Sequence, residues 1–122
     1  MENPVIQIQN LKKSFNHQEV LKGIDLEVNA GEVIGYLGSN GAGKSTTVKI
    51  LCGVIRDFEG DIRILGHDLR QEDITIKKRI GYIPENAIMY EQLTPLEYLE
   101  FTASLYGITP DIARQKSTDL LE

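Results

Sequence analysis

One glycine-rich stretch carries the clearest chemistry in this sequence. Its residues fit the pattern G-x-x-x-x-G-K-[ST] and are Gly38, Ser39, Asn40, Gly41, Ala42, Gly43, Lys44 and Ser45. Glycines let the backbone turn tightly, so that successive N–H groups point at one anion. The lysine of this pattern can reach the β- and γ-phosphates of a nucleotide, and the hydroxyl that follows can bind Mg²⁺. The spacing therefore predicts a phosphate-binding loop.

The residues on either side of this loop predict the elements that position it. Residues 33–37 are apolar on both faces, as in a central strand of an α/β sheet. The loop leads directly into a predicted helix over residues 44–53, with Val48, Leu51 and Cys52 on its apolar face. The free N–H groups and the dipole of a helix N-terminus favour phosphate. The order strand, loop, helix favours nucleotide binding over a glycine-rich turn without a ligand.

Alternating patterns before and after this segment predict further strands. Apolar and polar residues alternate over residues 6–9 and 24–28, which indicates half-exposed antiparallel strands, and a turn is predicted over residues 29–32. Short strands are predicted over residues 60–66 and 80–83, with a short helix over residues 73–78 between them.

The last third of the chain is predicted to be helical. Thr94, Pro95 and Glu97 combine an N-cap residue, a proline at the first helical position and a capping-box acid. This helix should run over residues 95–106 and stop at Gly107. Thr109 and Pro110 start another helix in the same way, and it is still in progress at Glu122, so we expect the chain to be a fragment.

Composition excludes several function classes. The chain has 122 residues, 41% of them hydrophobic and 25% charged, so a folded domain is expected. Its net charge of −5 disfavours a nucleic-acid partner, which requires clustered cations. No apolar run approaches the roughly 20 residues of a membrane span, and the first residues, which have neither a basic stretch nor an apolar core, are not expected to be a signal peptide. A cytoplasmic location is therefore expected, and the single Cys52 is expected to be a buried small hydrophobe.

The phosphate loop alone leaves the class of enzyme open. Residues 57–60 fit the D-x-x-G pattern of GTPases, but they directly follow the predicted helix and suit a surface turn better, and no N-K-x-D motif is present. On the loop alone, a small-molecule kinase and a non-catalytic module that senses nucleotide both remain possible.

A wider set of residues resembles the N-terminal half of an ABC transporter ATPase domain. The loop together with Thr46 is similar to the phosphate loop of that family, in which Asn-Gly-Ala-Gly-Lys is characteristic. The flanking stretches 21–28, 60–66 and 79–84 resemble the strands around that loop and the strand that enters the family's Q-loop. The resemblance extends along the whole chain. It implies an α/β P-loop NTPase fold: an antiparallel β-subdomain and the start of a RecA-like core over residues 1–85, then the first helices of a helical subdomain over residues 86–122.

The resemblance also assigns roles to residues. Phe15 matches the aromatic residue that stacks on adenine, whereas an ordinary core aromatic is the alternative. Residues 38–46 would hold the triphosphate of ATP, with Lys44 as a catalytic residue and Ser45 as a ligand of Mg²⁺. The family's second half supplies the signature loop, the Walker B aspartate, the catalytic glutamate and the switch histidine. His17 and His67 lie too early in the sequence to be that histidine.

One position departs from the family pattern. The Q-loop glutamine should follow Pro84, but this sequence has Glu85. Glu85 could still approach Mg²⁺ as a metal-binding and catalytic residue, although its charge lies near the γ-phosphate. This Pro-Glu form is similar to multidrug, antibiotic and polysaccharide export ATPases.

The resemblance further implies a cellular setting. An ATPase subunit of this kind lies on the inner face of the cell membrane, attached through a membrane-spanning subunit, and works with a second ATPase domain as a homodimer in the intact protein. Met89, Tyr90 and Leu93 are candidates for contact with the membrane subunit. The 122 residues alone are expected to bind nucleotide at most and not to hydrolyse it.

Overall fold

The computed structural model describes residues 3–37, 43–86 and 89–122. Within these segments the chain divides into two compact units, Met1–Tyr82 and Ile83–Glu122. Residues 38–42 of the phosphate loop lie outside the described residues.

The first unit is built on an antiparallel sheet. Its strands are β1 (Ile6–Phe15), β2 (Gln18–Val28), β3 (Glu59–Ile64) and β4 (His67–Asp68), in the order β2-β1-β3-β4. The helices α1 (Lys44–Leu51) and α2 (Asp73–Lys77) complete the unit. The alternating strands and the short helix predicted from the sequence are thus confirmed, and the turn after β2 closes with a hydrogen bond from the N–H of Glu32 to the carbonyl of Asn29.

One face of this sheet packs on the two helices to form the core. The buried apolar side chains are Ile8, Leu11, Leu21, Ile50, Phe58, Ile62, Ile64, Leu69 and Ile76. The side chains of α1 that are buried are Thr47 and Ile50. The predicted apolar face of Val48, Leu51 and Cys52 is only partly buried, because α1 turns its Thr47–Ile50 side to the sheet: Leu51 packs against the edge of the core, Cys52 is partly buried and Val48 is exposed.

Two segments predicted as strands, of which residues 33–37 were expected to be apolar on both faces, are not strands. Residues 33–37 and 80–83 form no strand, and Val33, Leu37 and Ile83 are largely exposed. A strand that is apolar on both faces needs a hydrogen-bonded neighbour and a packing layer on each face. The strands in the described part of the chain pair only with one another, so these segments have no such neighbours there.

The second unit is a pair of helices. These are α3 (Pro95–Leu105) and α4 (Pro110–Leu121), which pack on each other. The predicted capping box is present, because Glu97 N–H donates to Thr94 Oγ1 at 3.2 Å and Thr94 N–H donates to the Glu97 carboxylate at 2.7 Å. The core of this unit is small: only Ala113 and Ser117 are buried on the two helices.

Candidate nucleotide-binding site

A tight hairpin places the first candidate residue. Phe15 ends β1 and pairs with Gln18 at the start of β2. The two residues between them, Asn16 and His17, have φ values of 49° and 64°. Positive φ at both central positions is what a two-residue type I′ turn requires, and its twist matches that of the strands. The hairpin therefore fixes Phe15 at the tip of the sheet, where the side chain is 42% exposed.

A bulge in β2 shapes the floor beside Phe15. Lys13 pairs with Leu21 but Ser14 pairs with Glu19, so Val20 is an extra residue on β2. Bulges of this kind bend a strand and redirect its side chains. Leu21 remains in the core, whereas Val20 is partly exposed next to the hairpin tip.

The start of α1 packs against this bulge and requires a glycine. Gly43 has a φ of 89°, and a Cβ atom added to it would lie 2.4 Å from Cδ2 of Leu21. The residue after Gly43 is Lys44, so close packing of the glycine on β2 brings the helix N-terminus to the hairpin. Thr47 fixes this end of the helix, because its N–H and its hydroxyl both donate to the Gly43 carbonyl, at 2.9 and 3.0 Å.

Among the described residues, no side chain caps the N-terminus of α1. The N-cap residue is Gly43, which has no side chain for this purpose, and the first turn contains no acidic residue. The N–H groups of the first helical turn have no partner within the helix. With the Lys44 ammonium beside them, they make this end of the helix electropositive.

These elements together form a cleft of about 500 Å³. It is lined by Phe15, Gln18, Val20, Gly43, Lys44, Ser45 and Thr46. Its volume lies within the range of small-molecule sites, roughly 300–1,000 Å³. Among the described residues of this lining Lys44 is the only charged one, so the cleft suits an anion next to an aromatic surface.

The donor set fits a nucleotide triphosphate with a magnesium ion. Uncapped helix N–H groups and a lysine suit phosphate oxygens. The exposed Ser45 hydroxyl is an oxygen ligand of the kind that Mg²⁺ prefers. Phe15 adds a flat apolar surface to the lining of the same cleft.

The structure brings some of the predicted site residues together and leaves others apart. Phe15, Gly43, Lys44, Ser45 and Thr46 line one cleft. Gly38, Ser39, Asn40, Gly41 and Ala42 lie outside the described residues. Glu85 belongs to the second unit, where it is exposed, and its role stays a prediction.

Two residues of the lining were not predicted from the sequence. Gln18 and Val20 reach the cleft because of the hairpin register and the bulge in β2. The dipeptide Asn16-His17 is the available signal: an asparagine tolerates positive φ, and a two-residue turn there pairs Phe15 with Gln18. Nothing in the alternating pattern indicates the bulge.

Neither histidine is among the described residues that line this cleft. His17 is exposed in the hairpin turn, and His67 on β4 lies 3.1 Å from Glu72, measured from Nδ1 to Oε1. Neither position contradicts the interpretation of both residues as surface histidines.

The second unit carries an aromatic cluster at the start of α3. The ring centroid of Tyr90 lies 6.2 Å from that of Tyr98 and 6.1 Å from that of Phe101, with the latter pair edge to face. Tyr90 is 60% exposed, and Met89 and Leu93 beside it are also exposed. The cluster is therefore an apolar surface open to solvent in this unit.

Sequence comparison identifies the family. The family model for the ABC transporter matches residues 21–121. The chain belongs to the ABC transporter family. The family match and the cleft agree, and the small-molecule kinase alternative is not favoured.

Several relatives of this ABC chain are ATP-binding proteins of resistance and export systems. The linearmycin resistance ATP-binding protein of Bacillus subtilis is 35% identical over 97% of this chain and 38% of its own length. The daunorubicin/doxorubicin resistance ATP-binding protein of Streptomyces peucetius is 38% identical over 96% of this chain and 36% of its own length. The lipopolysaccharide export system ATP-binding protein of Haemophilus influenzae is 34% identical over 97% of this chain and 50% of its own length. The chain thus spans half or less of the length of these three proteins.

A solved structure gives the same result at the level of the fold. The ATP-binding subunit of an ABC transporter superimposes with a TM-score of 0.76 at 35% identity, covering 86% of this chain and 44% of that one. This confirms the predicted fold class, an N-terminal part of an ABC-type P-loop NTPase, although the segments 33–37 and 80–83 are not strands here. In the described segments no helix combines the length and the apolar character needed to cross a membrane.

Proposed function

We propose that this ABC chain is the ATP-binding part of an export ATPase subunit. The observation that carries the proposal is the cleft that Phe15 lines together with the N-terminus of α1, whose first turn contains no acidic residue. The names of the relatives support the export class, since they refer to drug resistance and to lipopolysaccharide export. ATP hydrolysis in the intact protein would drive the transport of a substrate across the membrane.

Different residues of the cleft bind different parts of ATP. Phe15 stacks on the adenine, and Val20 extends the apolar surface on which the base rests. The first turn of α1 donates N–H groups to the phosphates, and the Lys44 ammonium lies against the β- and γ-phosphates, where it stabilises negative charge that develops during phosphoryl transfer. Residues 38–42 complete the phosphate loop.

Ser45 and Glu85 are the proposed ligands of Mg²⁺. When bound, the ion neutralises charge on the β- and γ-phosphates. The Ser45 hydroxyl lies in the first turn of α1, beside the N–H groups that would bind the phosphates. Glu85, in place of the family's glutamine, would add a carboxylate ligand, and the charge of the ion would offset its repulsion of the γ-phosphate.

A calorimetric titration with Mg²⁺-ATP tests the lysine assignment. Lys44→Ala should weaken binding at least tenfold, because the phosphates lose their cation. Lys49→Ala is the matched control: it removes a lysine from the last turn of the same helix and should leave the affinity unchanged. At a hundred times the dissociation constant, ATP should stabilise the wild-type chain by about 2.7 kcal/mol and raise its melting temperature. Equal affinities for wild type and Lys44→Ala would refute the proposed site.

The magnesium dependence of ATP binding tests Glu85. In Glu85→Gln the concentration of Mg²⁺ that gives half of the maximal ATP affinity should rise, because a neutral amide binds the ion less well than a carboxylate does. Glu91→Gln changes another exposed glutamate of the same unit and serves as the control. An unchanged magnesium dependence in Glu85→Gln would remove Glu85 from the metal site.

We further propose that the subunit lies at the inner face of the membrane, as one of two identical ATPase domains, and contacts a membrane-spanning subunit through its second unit. The exposed surface of Met89, Tyr90 and Leu93 supports this contact. Because Tyr90 packs on Tyr98 and Phe101, it is held in a defined position for a partner.

Capture from detergent-solubilised membranes of the source organism tests this contact. The tagged chain should retain a protein with several membrane spans, identified by mass spectrometry, and Tyr90→Ser should reduce that capture. Tyr106→Ser, at the far end of α3, changes a tyrosine of similar exposure, 52% against 60%, and should not. Capture that is the same for both variants would show that the aromatic cluster is not the contact.

A further inference from the structure

A lysine covers the ring of Phe15. The Nζ atom of Lys13 lies 4.9 Å from the centroid of the Phe15 ring. The Lys13 side chain is only 10% exposed, although lysines are rarely so covered unless they have a partner. An ammonium over the face of an aromatic ring is attracted by the negative charge of that face.

An aspartate holds this lysine in place. Asp57, in the segment before β3, accepts a hydrogen bond from Lys13 Nζ at 3.2 Å. Asp57 itself is fully exposed, so water screens the attraction and the pair adds little to stability. Its effect is geometric: it restricts where the ammonium can lie, and so keeps the ammonium over the ring.

The lysine and the ring face different spaces. Phe15 lines the nucleotide cleft, and Lys13 is absent from that lining. Lys13 instead lines a separate hollow of about 190 Å³ with Ser14, Glu19 and Asp57. A cation on one ring face leaves the other face for a second flat partner and draws ring electrons away from it. This electron shift favours stacking with an electron-rich heteroaromatic ring.

We propose that Lys13, held by Asp57, is a positioning residue that orients the Phe15 ring for stacking with a purine base. This inference rests on the proposed function, because it assumes that a nucleotide occupies the cleft. Lys13 does not touch the ligand; it acts through Phe15.

The test compares a ligand that has a base with one that lacks it. Affinities of the full chain for ATP and for inorganic tripolyphosphate, both with Mg²⁺, are measured by calorimetry. Lys13→Met keeps the length and apolar character of the side chain but removes its charge, and should weaken ATP binding about two- to fivefold while leaving tripolyphosphate binding unchanged. Lys13→Arg, which keeps a cation for both the ring and Asp57, should restore ATP affinity.

Two further variants show that the effect passes through the ring. Lys12→Met removes the neighbouring lysine and should change neither affinity. In a Phe15→Leu background, Lys13→Met should have no additional effect on ATP, because there is no ring left to orient. Asp57→Asn should shift ATP affinity in the same direction as Lys13→Met and by a smaller factor.

Each other outcome overturns the inference. If Lys13→Met weakens the binding of ATP and of tripolyphosphate equally, Lys13 acts on the phosphates by its charge or on the stability of the fold, and does not act on the stacking of the base. An unchanged ATP affinity in Lys13→Met, or no rescue by Lys13→Arg, would exclude positioning by the cation. If the wild-type chain binds neither ligand, the proposed function fails and this inference fails with it. If the wild type binds both but Lys13→Met leaves their ratio unchanged, only the inference fails.

Discussion

Two neighbouring stretches of the first unit, residues 6–28 and residues 33–37, bury their apolar side chains to very different degrees. In the hairpin of β1 and β2, Leu11 and Leu21 are 0% and 1% exposed, whereas Val33 and Leu37 are 100% and 94% exposed. The hairpin contains its own partner, since a two-residue turn brings β2 beside β1. Residues 33–37 pair with no strand in the part of the chain that the structure describes. Local pairing therefore gives a buried strand where apolar character alone does not.

The same substitution, leucine to alanine, made once in each stretch tests this difference in burial. Leu11→Ala should lower the free energy of unfolding by about 2–5 kcal/mol, because it leaves a cavity in a packed core. Leu37→Ala removes the same atoms from an exposed position and should change it by no more than about 0.5 kcal/mol. Urea denaturation of both variants measures the difference. A large loss in Leu37→Ala would mean that residues 33–37 are packed in solution.

Substitutions of two glycines extend the comparison of packed and exposed segments to the candidate site. Gly43→Ala should lower the free energy of unfolding by about 1–3 kcal/mol, because the new Cβ meets Leu21 and the backbone has a positive φ. It should also weaken ATP binding, since the start of α1 must move away from β2.

Gly35→Ala is the matched control for that substitution. Gly35 lies in residues 33–37, the open segment, with no heavy atom of the described residues within 4 Å of an added Cβ and no positive φ. We expect the free energy of unfolding of Gly35→Ala to stay within about 0.5 kcal/mol of the wild-type value. Thermal unfolding with and without ATP measures both variants. If both lose stability equally, the contact between Gly43 and Leu21 is not what joins the loop to the hairpin.

The same contrast explains what could be predicted from the sequence. The capping box of Thr94 and Glu97 and the alternation around Ile62 depend on neighbouring residues, and both predictions are confirmed. The prediction of a strand over residues 33–37 depends on apolar character, which does not specify a pairing partner, and neither this segment nor residues 80–83 forms a strand. In the cleft, the phosphate loop pattern identified Lys44 and Ser45. Val20 could not be predicted, because it reaches the cleft through a bulge whose register depends on how β1 and β2 pair.

The smallest expected effect concerns Glu32, at the boundary between the hairpin and the open segment. Hydrogen bonds from Asn29, first from its backbone N–H at 2.8 Å and then from its side-chain amide at 3.3 Å, lower the pKa of the Glu32 carboxyl. A carboxyl whose pKa is lowered by folding stabilises the folded state above its unfolded-state pKa, about 4.3, and loses that contribution as the pH falls through the lower folded-state value. Glu32→Gln should therefore make the free energy of unfolding slightly less dependent on pH below about pH 4.

NMR titration of the wild type should find the pKa of Glu32 below its ordinary value. Asn29→Ala should retain most of the shift, because the backbone N–H, the larger cause, remains. If Glu32 titrates at its ordinary value in the wild type, the turn does not hold in solution, and the boundary between the folded and open segments lies earlier in the chain.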